Sequence, residues 1–351
     1  MAVRLCSIGP SLPFIGMVMV ILAQVSNLVV CKVAMSRGMN KYVLIVYCNA
    51  LSSLILLPCS LIFHRSERPS LTFSILFRIF LLALLGVLSQ IFAYVGIEFS
   101  SPMLGTAMLN LIPAFTFILA IIFRMEKLDW RSTSSLAKSL GTIVSIAGAF
   151  VVTFYKGPSL LKTSSIALWP LQQLLFSKSI WVVGAFLLAA EAFIISAWYI
   201  LQTLTVRSFP AVFTIMFYSC LFGTILSAFC CLLEVEDASD WQLRLDVGLV
   251  AVLYSAIVAT VFQSSLCMWC LWKAGPLFVS MFKPLAIIFA VVLDAIFLGE
   301  NLGLGSLIGA TVIVTGFYAV MWGKAKEEYI TDDKELGSSG LSVENVRLLQ
   351  T

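Results

Sequence analysis

Charge is what this chain has least of. Of its 351 residues only 11% are Asp, Glu, Lys or Arg, where a soluble domain carries about a quarter, so a water-facing globular surface is excluded. Histidine is nearly absent: His64 is the only one, which removes His-based zinc sites and Ser-His-Asp chemistry. There is no basic block, and the formal charge of +4 is spread over the loops, so nothing is shaped for nucleic acid. The nine cysteines lie mostly inside apolar runs, where cysteine packs as a small hydrophobe. Cys267-x-x-Cys270 has a redox or metal spacing but sits within such a run with no second pair, and packing is the reading taken. No metal and no cofactor are expected.

What the chain has in abundance is apolar length. Hydrophobic residues make up 60% and the mean hydropathy is +1.03. A hydrocarbon core about 30 Å thick needs roughly 20 apolar residues per helix. Ten runs reach that length: about 13–34, 41–63, 73–96, 101–123, 136–155, 181–204, 210–233, 246–272, 275–298 and 303–323. The first exceeds the apolar region of a signal peptide and is read as a retained helix. The expected class is an all-α polytopic membrane protein of ten transmembrane helices, with the lipid bilayer as its solvent.

The runs repeat. Pro102 to Leu128 and Pro276 to Leu302 stand 174 residues apart and set Pro102 on Pro276, Phe115 on Phe289, Phe123 on Phe297, Glu126 on Glu300 and Leu128 on Leu302. After a gap of six, Gly141 and Gly148 fall on Gly309 and Gly316, and Lys156 on Lys324. One duplication of ten helices gives five per half, and an odd number turns the second half upside down. Residues 1–155 form the first repeat, 156–180 a connecting loop, 181–323 the second repeat and 324–351 a disordered cytoplasmic tail. Inverted repeats are above all the architecture of secondary transporters, with a shared site near the bilayer midplane. Ten Lys and Arg residues on the segments sharing the N-terminal side, among them Arg65, Arg124, Lys273 and Lys324, against six opposite place both termini in the cytoplasm.

A charge near the bilayer centre costs at least about 2.5–3.5 kcal/mol, so intramembrane charges point to function. Glu191 lies about ten residues into its run and Lys283 about eight into its own. Asp294 is nearer the far end of the same helix as Lys283 and reads equally as interfacial. For Glu191 and Lys283 the alternative is a structural ion pair, or snorkelling of the lysine. Lys283 is followed by Pro284, and the matching fourth helix carries Asn110 and Pro113. Proline breaks the helix ladder and frees carbonyls, and interrupted helices in corresponding places point to a binding site. Gln24, Asn27, Asn49, Gln90 and Gln263 would complete a polar cavity, or else bond between helices. Trp181, Trp198, Tyr199, Trp272 and Trp322 are read as interfacial anchors. Small residues at Gly141, Ser145 and Ala149, and at Gly305, Gly309 and Gly316, let helices approach closely, within the monomer or across a homodimer.

The stretches YVGIEFSSPMLGTAMLNLIPAFTFILAIIFRMEKLDWRS, GTIVSIAGAFVVTFYKG and FLGENLGLGSLIGATVIVTGFYAVMWGKAKE strongly resemble the plant walls-are-thin-related proteins. That family is also called the UMAMIT transporters and belongs to the EamA branch of the drug/metabolite transporter superfamily. The resemblance runs from about Phe14 to Lys326. It implies two EamA units of five helices, cytoplasmic ends, and movement of amino acids or related metabolites across a plant membrane, the plasma membrane ahead of the tonoplast. Some relatives handle auxin or other metabolites. Where relatives often carry VYR in the second helix, this chain has Val46-Tyr47-Cys48-Asn49 and lacks the basic residue.

The leading expectation is therefore a secondary transporter or facilitator whose partner is a small-molecule substrate, with Lys283 facing a carboxylate and Glu191 an ammonium or a coupling proton. A nucleotide-sugar antiporter is the nearest rival, though a diphosphate calls for several cavity cations and the spans offer chiefly Lys283. A polytopic membrane enzyme would show interfacial His, Asp or Cys clusters, which are missing. A receptor would bind without flux.

Overall fold

The computed structural model describes residues 11–63, 71–100, 102–126, 132–155, 178–234, 241, 247–297, 305 and 307–326. Most of these are helical, with no strand among them. In chain order they form α1 (Ser11–Ser36), α2 (Lys41–Phe63), α3 (Phe73–Phe99), α4 (Pro102–Leu109), α5 (Ile112–Ile122), α6 (Thr133–Phe154), α7 (Lys178–Ser208), α8 (Val212–Glu234) and α9 (Val247–Tyr254). A π-helical segment, Ser255–Gln263, joins α9 to α10 (Ser264–Phe297), and α11 spans Leu307–Lys326.

Seven stretches of the described residues are long and apolar enough to cross a membrane, against the ten runs of the sequence. The difference has local causes. The apolar part of α1, Leu12–Asn27, and α5, Ile112–Ile122, are shorter apolar helices. Val247–Ala286 is one stretch of 40 residues, about 60 Å if straight, twice the hydrocarbon thickness. It is not straight: Gly275 has φ +85° and ψ 172°, so α10 is two helices joined at a kink. Glycine alone takes that φ freely, and Pro276 begins the next helix with its fixed φ in place. Earlier in the chain a break lies between α3 and α4, at Ser100 and Pro102. A second break follows Leu109, where Pro113 opens α5 without the backbone N–H an unbroken helix would need.

Packing joins helices far apart in the chain. α2 lies along α8, α3 along α7, and α1 along the α9–α10 stretch. α6 and α11 meet through glycines: a Cβ on Gly141 would sit 2.7 Å from the Gly316 carbonyl, and one on Gly148 would sit 3.0 Å from the Gly309 carbonyl. One buried cluster joins α1, α5, α7, α10 and α11 around Phe282, Leu277 and Ile21. Another joins α2, α3, α7 and α8 around Leu56, Ile79, Phe209 and Ile215. Large apolar side chains such as Leu54, Phe186, Phe229 and Leu233 point outward, as lipid-facing residues do. The connecting segment at 156–177, Glu300 and the tail from 327 onward lie outside the described residues; α11 itself continues to Lys326.

Candidate functional site

Between α2, α3, α7, α8 and the π-helical segment lies a cavity of about 240 Å³. Its polar lining is Asn49 from α2, Gln90 from α3, Gln202 from α7, Ser219 from α8, and Thr260 and Ser264. Trp198, Met216 and Met268 give it an apolar wall. Glycine makes the room: a Cβ on Gly86 would come no nearer than 3.9 Å to the Trp198 indole nitrogen, and one on Gly223 stays 3.8 Å from the Asn49 amide. The π-helical turn contributes as well. Its extra residue per turn re-aims the side chains, and the Thr260 and Ser264 hydroxyls donate to the carbonyls of Ser255 and Ala259, five residues back, at 3.2 and 3.4 Å.

Gln202 stands apart in this lining. It is 2% exposed and its amide oxygen has no hydrogen-bond partner, a state that costs about 1–3 kcal/mol for a buried acceptor. Gln90 and Val87 also line a cleft of about 20 Å³ with Tyr42, Ile45, Tyr94, Ser227 and Cys230. That cleft continues the cavity toward the Lys41 end of α2 and the Glu234 end of α8, and the Tyr42 and Tyr94 rings meet edge-on beside it, 6.1 Å apart.

The charges gather in a second place. Lys283 donates to the Gln24 amide oxygen at 3.1 Å, which ties α10 to α1. Glu191 is buried, with Lys283 near enough for its charge to act on the carboxyl. Neither residue is in the described lining of the cavity. Glu191 adjoins it along α7: Glu191, Trp198 and Gln202 share one helix face by their spacing, with Glu191 about 10 Å along the axis from Trp198. Asn110, 1% exposed, sits at the break between α4 and α5 with its amide nitrogen unpartnered. Asn27 accepts from the Ser255 hydroxyl at 2.6 Å and so joins α1 to the π-helical segment. Gln263 closes that segment half-buried. Pro284 is buried within α10 one residue past Lys283, and Pro113 is buried at the start of α5. Asp294 is on the α10 backbone, and its side chain lies outside the described residues.

A third cluster caps one end of the bundle. The Lys138 ammonium, fully buried in α6, donates to Glu126 at 2.7 Å. Lys324 of α11 reaches the other Glu126 oxygen at 3.8 Å and donates to the Ala274 carbonyl at the Gly275 break. One carboxylate thus ties α6, α11 and the kink of α10 together.

Sequence reasoning reached Asn49 and Gln90 among the lining residues but missed Gln202, Ser219, Thr260 and Ser264. Trp198 and Tyr199, read as interfacial anchors, are instead a cavity wall and a buried core residue. The reason is length: α7 runs on to Ser208, so the residues around position 200 are well inside the bundle. Among the described residues no cluster of three His, Cys, Asp or Glu is placed to hold a metal.

The profile of the EamA-like transporter family matches residues 182–322. Two WAT1-related proteins of Arabidopsis thaliana are 44% and 43% identical to the chain, over 324 and 317 residues. Those matches cover 91% and 90% of this chain and 88% and 89% of the relatives. A protein of known crystal structure superposes with a TM-score of 0.65 at 16% identity, covering 89% of this chain and 98% of its own, a likeness of fold.

Proposed function

This chain belongs to the WAT1-related proteins and carries the EamA-like transporter unit, a membrane transporter family, and from that premise we propose that it is a secondary transporter or facilitator moving amino acids or related small metabolites across a plant membrane by alternating access. The observation that carries the reading is the cavity lined by Asn49, Gln90, Gln202, Ser219, Thr260 and Ser264, between α2, α3, α7, α8 and the π-helical segment. A cavity so placed is exposed first to one face and then to the other when the halves rock. Nothing about it suggests catalysis, since its described lining holds no nucleophile–base pair.

The two halves, 1–155 and 181–323, are related in this proposal by an inverted two-fold axis through ten membrane segments. Contacts support it. The α3–α7 pairing has its image in α1 against the α9–α10 stretch, and α2–α8 is its own image. The glycines behave alike. Gly141 faces Gly316, and their repeat mates Gly309 and Gly148 face one another, as a two-fold interface requires. With both termini in the cytoplasm, the Glu126–Lys138–Lys324 cluster sits at the cytoplasmic end and the Tyr42–Tyr94 cleft at the outer one. The Glu126 cluster then acts as a latch that holds the cytoplasmic side shut. The plasma membrane is the proposed site.

Glu191 and Lys283 are assigned to the substrate or proton pathway beside the cavity, with Asn110, Asn27, Gln90, Gln263 and Asp294 as further polar positions and Pro113 and Pro284 as the breaks that let α5 and α10 bend. The test is flux through the purified protein in proteoliposomes loaded with labelled amino acids, with and without a pH gradient. Amino-acid flux is expected, accelerated by a proton gradient if Glu191 carries the coupling proton. Absence of flux for every amino acid would overturn the substrate class.

A further inference from the structure

The sequence carries no basic block, yet the fold gathers one. Arg78, Arg124, Arg207, Lys273 and Lys326 stand at the end of the bundle where α5, α7 and α11 finish, α3 and α6 begin and α10 kinks. Among the described residues none of these five meets a carboxylate. Arg78 donates to the Ser208 hydroxyl at 3.2 Å and Lys326 to the Thr133 hydroxyl at 2.7 Å. Glu126, the acid described at this end, is already held by Lys138 and Lys324. At the opposite end Arg37, Lys41 and Lys178 stand against Glu98 and Glu234, so the charge there nearly cancels. Uncompensated cations attract anions, and at the rim of a membrane protein the nearest anions are lipid phosphates.

Two of the five are fitted for a headgroup. Lys273 stands over the Trp272 ring, 4.9 Å from its centre, and Lys326 stands over the Trp322 ring at 5.0 Å. Both indoles are well exposed, 44% and 46%. An exposed indole at a helix end sits at the boundary between acyl chain and headgroup, and the ring face holds its ammonium at that depth. An ammonium has three donors, so the Thr133 bond leaves Lys326 free donors for a phosphate oxygen. The two pairs are neighbours: Lys324, two residues before Lys326, donates to the carbonyl of Ala274, the residue after Lys273. They flank one stretch of the rim, where the α10 kink meets the end of α11.

We propose that this rim binds an anionic phospholipid, whose phosphate pairs with Lys273 and Lys326 and whose upper acyl chain lies on Trp272 and Trp322. The site goes beyond the transporter reading and rests on it only for the leaflet. With both termini in the cytoplasm the rim faces the inner leaflet, where anionic lipids are found. Each cation beside an anionic surface tightens binding roughly five-fold, and two together roughly twenty-five-fold.

Dioctanoyl phosphatidylglycerol and dioctanoyl phosphatidylcholine share their chains and differ in headgroup charge. Each is titrated into the full-length protein in detergent, and bound lipid is counted by native mass spectrometry. The anionic lipid is expected to bind at least about ten-fold more tightly, with a preference that shrinks as salt rises. Lys273→Gln/Lys326→Gln should reduce it to the level of phosphatidylcholine, while Arg37→Gln/Lys178→Gln at the other end should keep the preference. A thermal midpoint near that of the wild type shows that each variant is folded. Should the Lys273/Lys326 double variant not fold, its two single variants carry the test, each expected to weaken the anionic lipid several-fold. Equal binding of the two lipids by the wild type, or an undiminished preference in the folded lysine variants, overturns the proposal. So does displacement of the lipid by inorganic phosphate at equal concentration, which marks a site for free phosphate. A preference that appears only in a chain ended at Lys326 also overturns it, and puts the acidic stretch from Glu327 onward on these cations. The transporter reading fails separately: a lipid preference with no flux of any amino acid keeps this site and removes the substrate class, and flux with no lipid preference does the reverse.

Discussion

Replacing Gly316 by alanine is expected to pry α6 and α11 apart. The added Cβ would overlap the Ser145 backbone nitrogen and sit 2.6 Å from the Gly141 carbonyl. Backbone cannot rotate out of the way as a side chain can, so relief comes only from separating the helices by about 1 Å, judged against normal carbon contact distances. A gap of that size forfeits roughly a quarter to a half of the dispersion attraction along the seam, and overpacking of this kind costs about 1–3 kcal/mol. In lipid there is little hydrophobic gain to offset it, because helices hold together there by close contact. The assay is the thermal midpoint of the purified protein in detergent, read by loss of monodisperse protein. Gly316→Ala, Gly141→Ala and Gly148→Ala should each lower it, the last two by similar amounts since each Cβ would meet backbone at 2.7 Å. Gly223→Ala, whose nearest atom is 3.8 Å away, should leave it unchanged. If Gly316→Ala is as stable as the wild type, the glycine seam does not hold these helices and the two-fold argument loses its strongest contact.

Three further outcomes follow from the same geometry. Lys138→Met removes the nearer of the two lysines that pair the buried Glu126 carboxylate and leaves Lys324 at 3.8 Å, so it should destabilise by at most about 3–5 kcal/mol, while the Lys138→Met/Glu126→Leu pair should recover part of the loss; a single variant as stable as the wild type in the same thermal assay would contradict the buried pair. Glu191→Gln at equal surface expression should abolish acceleration of flux by a proton gradient and leave exchange intact, and a wild-type response to the gradient would remove Glu191 from the coupling path. Gly86→Leu projects a side chain into the cavity beside Trp198 and should keep the fold but cut flux at least ten-fold, so full flux would place the pathway elsewhere.

Much of the fold could be read before any coordinates. Gly141, Gly309 and Gly316, read from the sequence as small residues that let helices approach, lie with Gly148 where α6 and α11 cross, because only glycine permits backbone contact there. Glu191 was singled out by burial cost alone, and it is buried. Gln202 was not legible: the apolar run fades near position 204, and only the continuation of α7 to Ser208 carries it inside. Thr260 and Ser264 escaped because a π-helical turn changes which residues share a face, and hydrophobic periodicity does not announce it. Lys138 lies near the start of its run, where the sequence carries no sign of burial; the fold buries it against Glu126 at 2.7 Å.

Counterflow decides the central claim most directly. Proteoliposomes holding the purified protein are preloaded with unlabelled amino acid, diluted into labelled amino acid of the same kind, and followed over time. Alternating access about one cavity predicts a transient accumulation of label above equilibrium, abolished when the inside is empty. Uptake that only approaches equilibrium, at the same rate whether the vesicles are loaded or empty, would contradict a carrier.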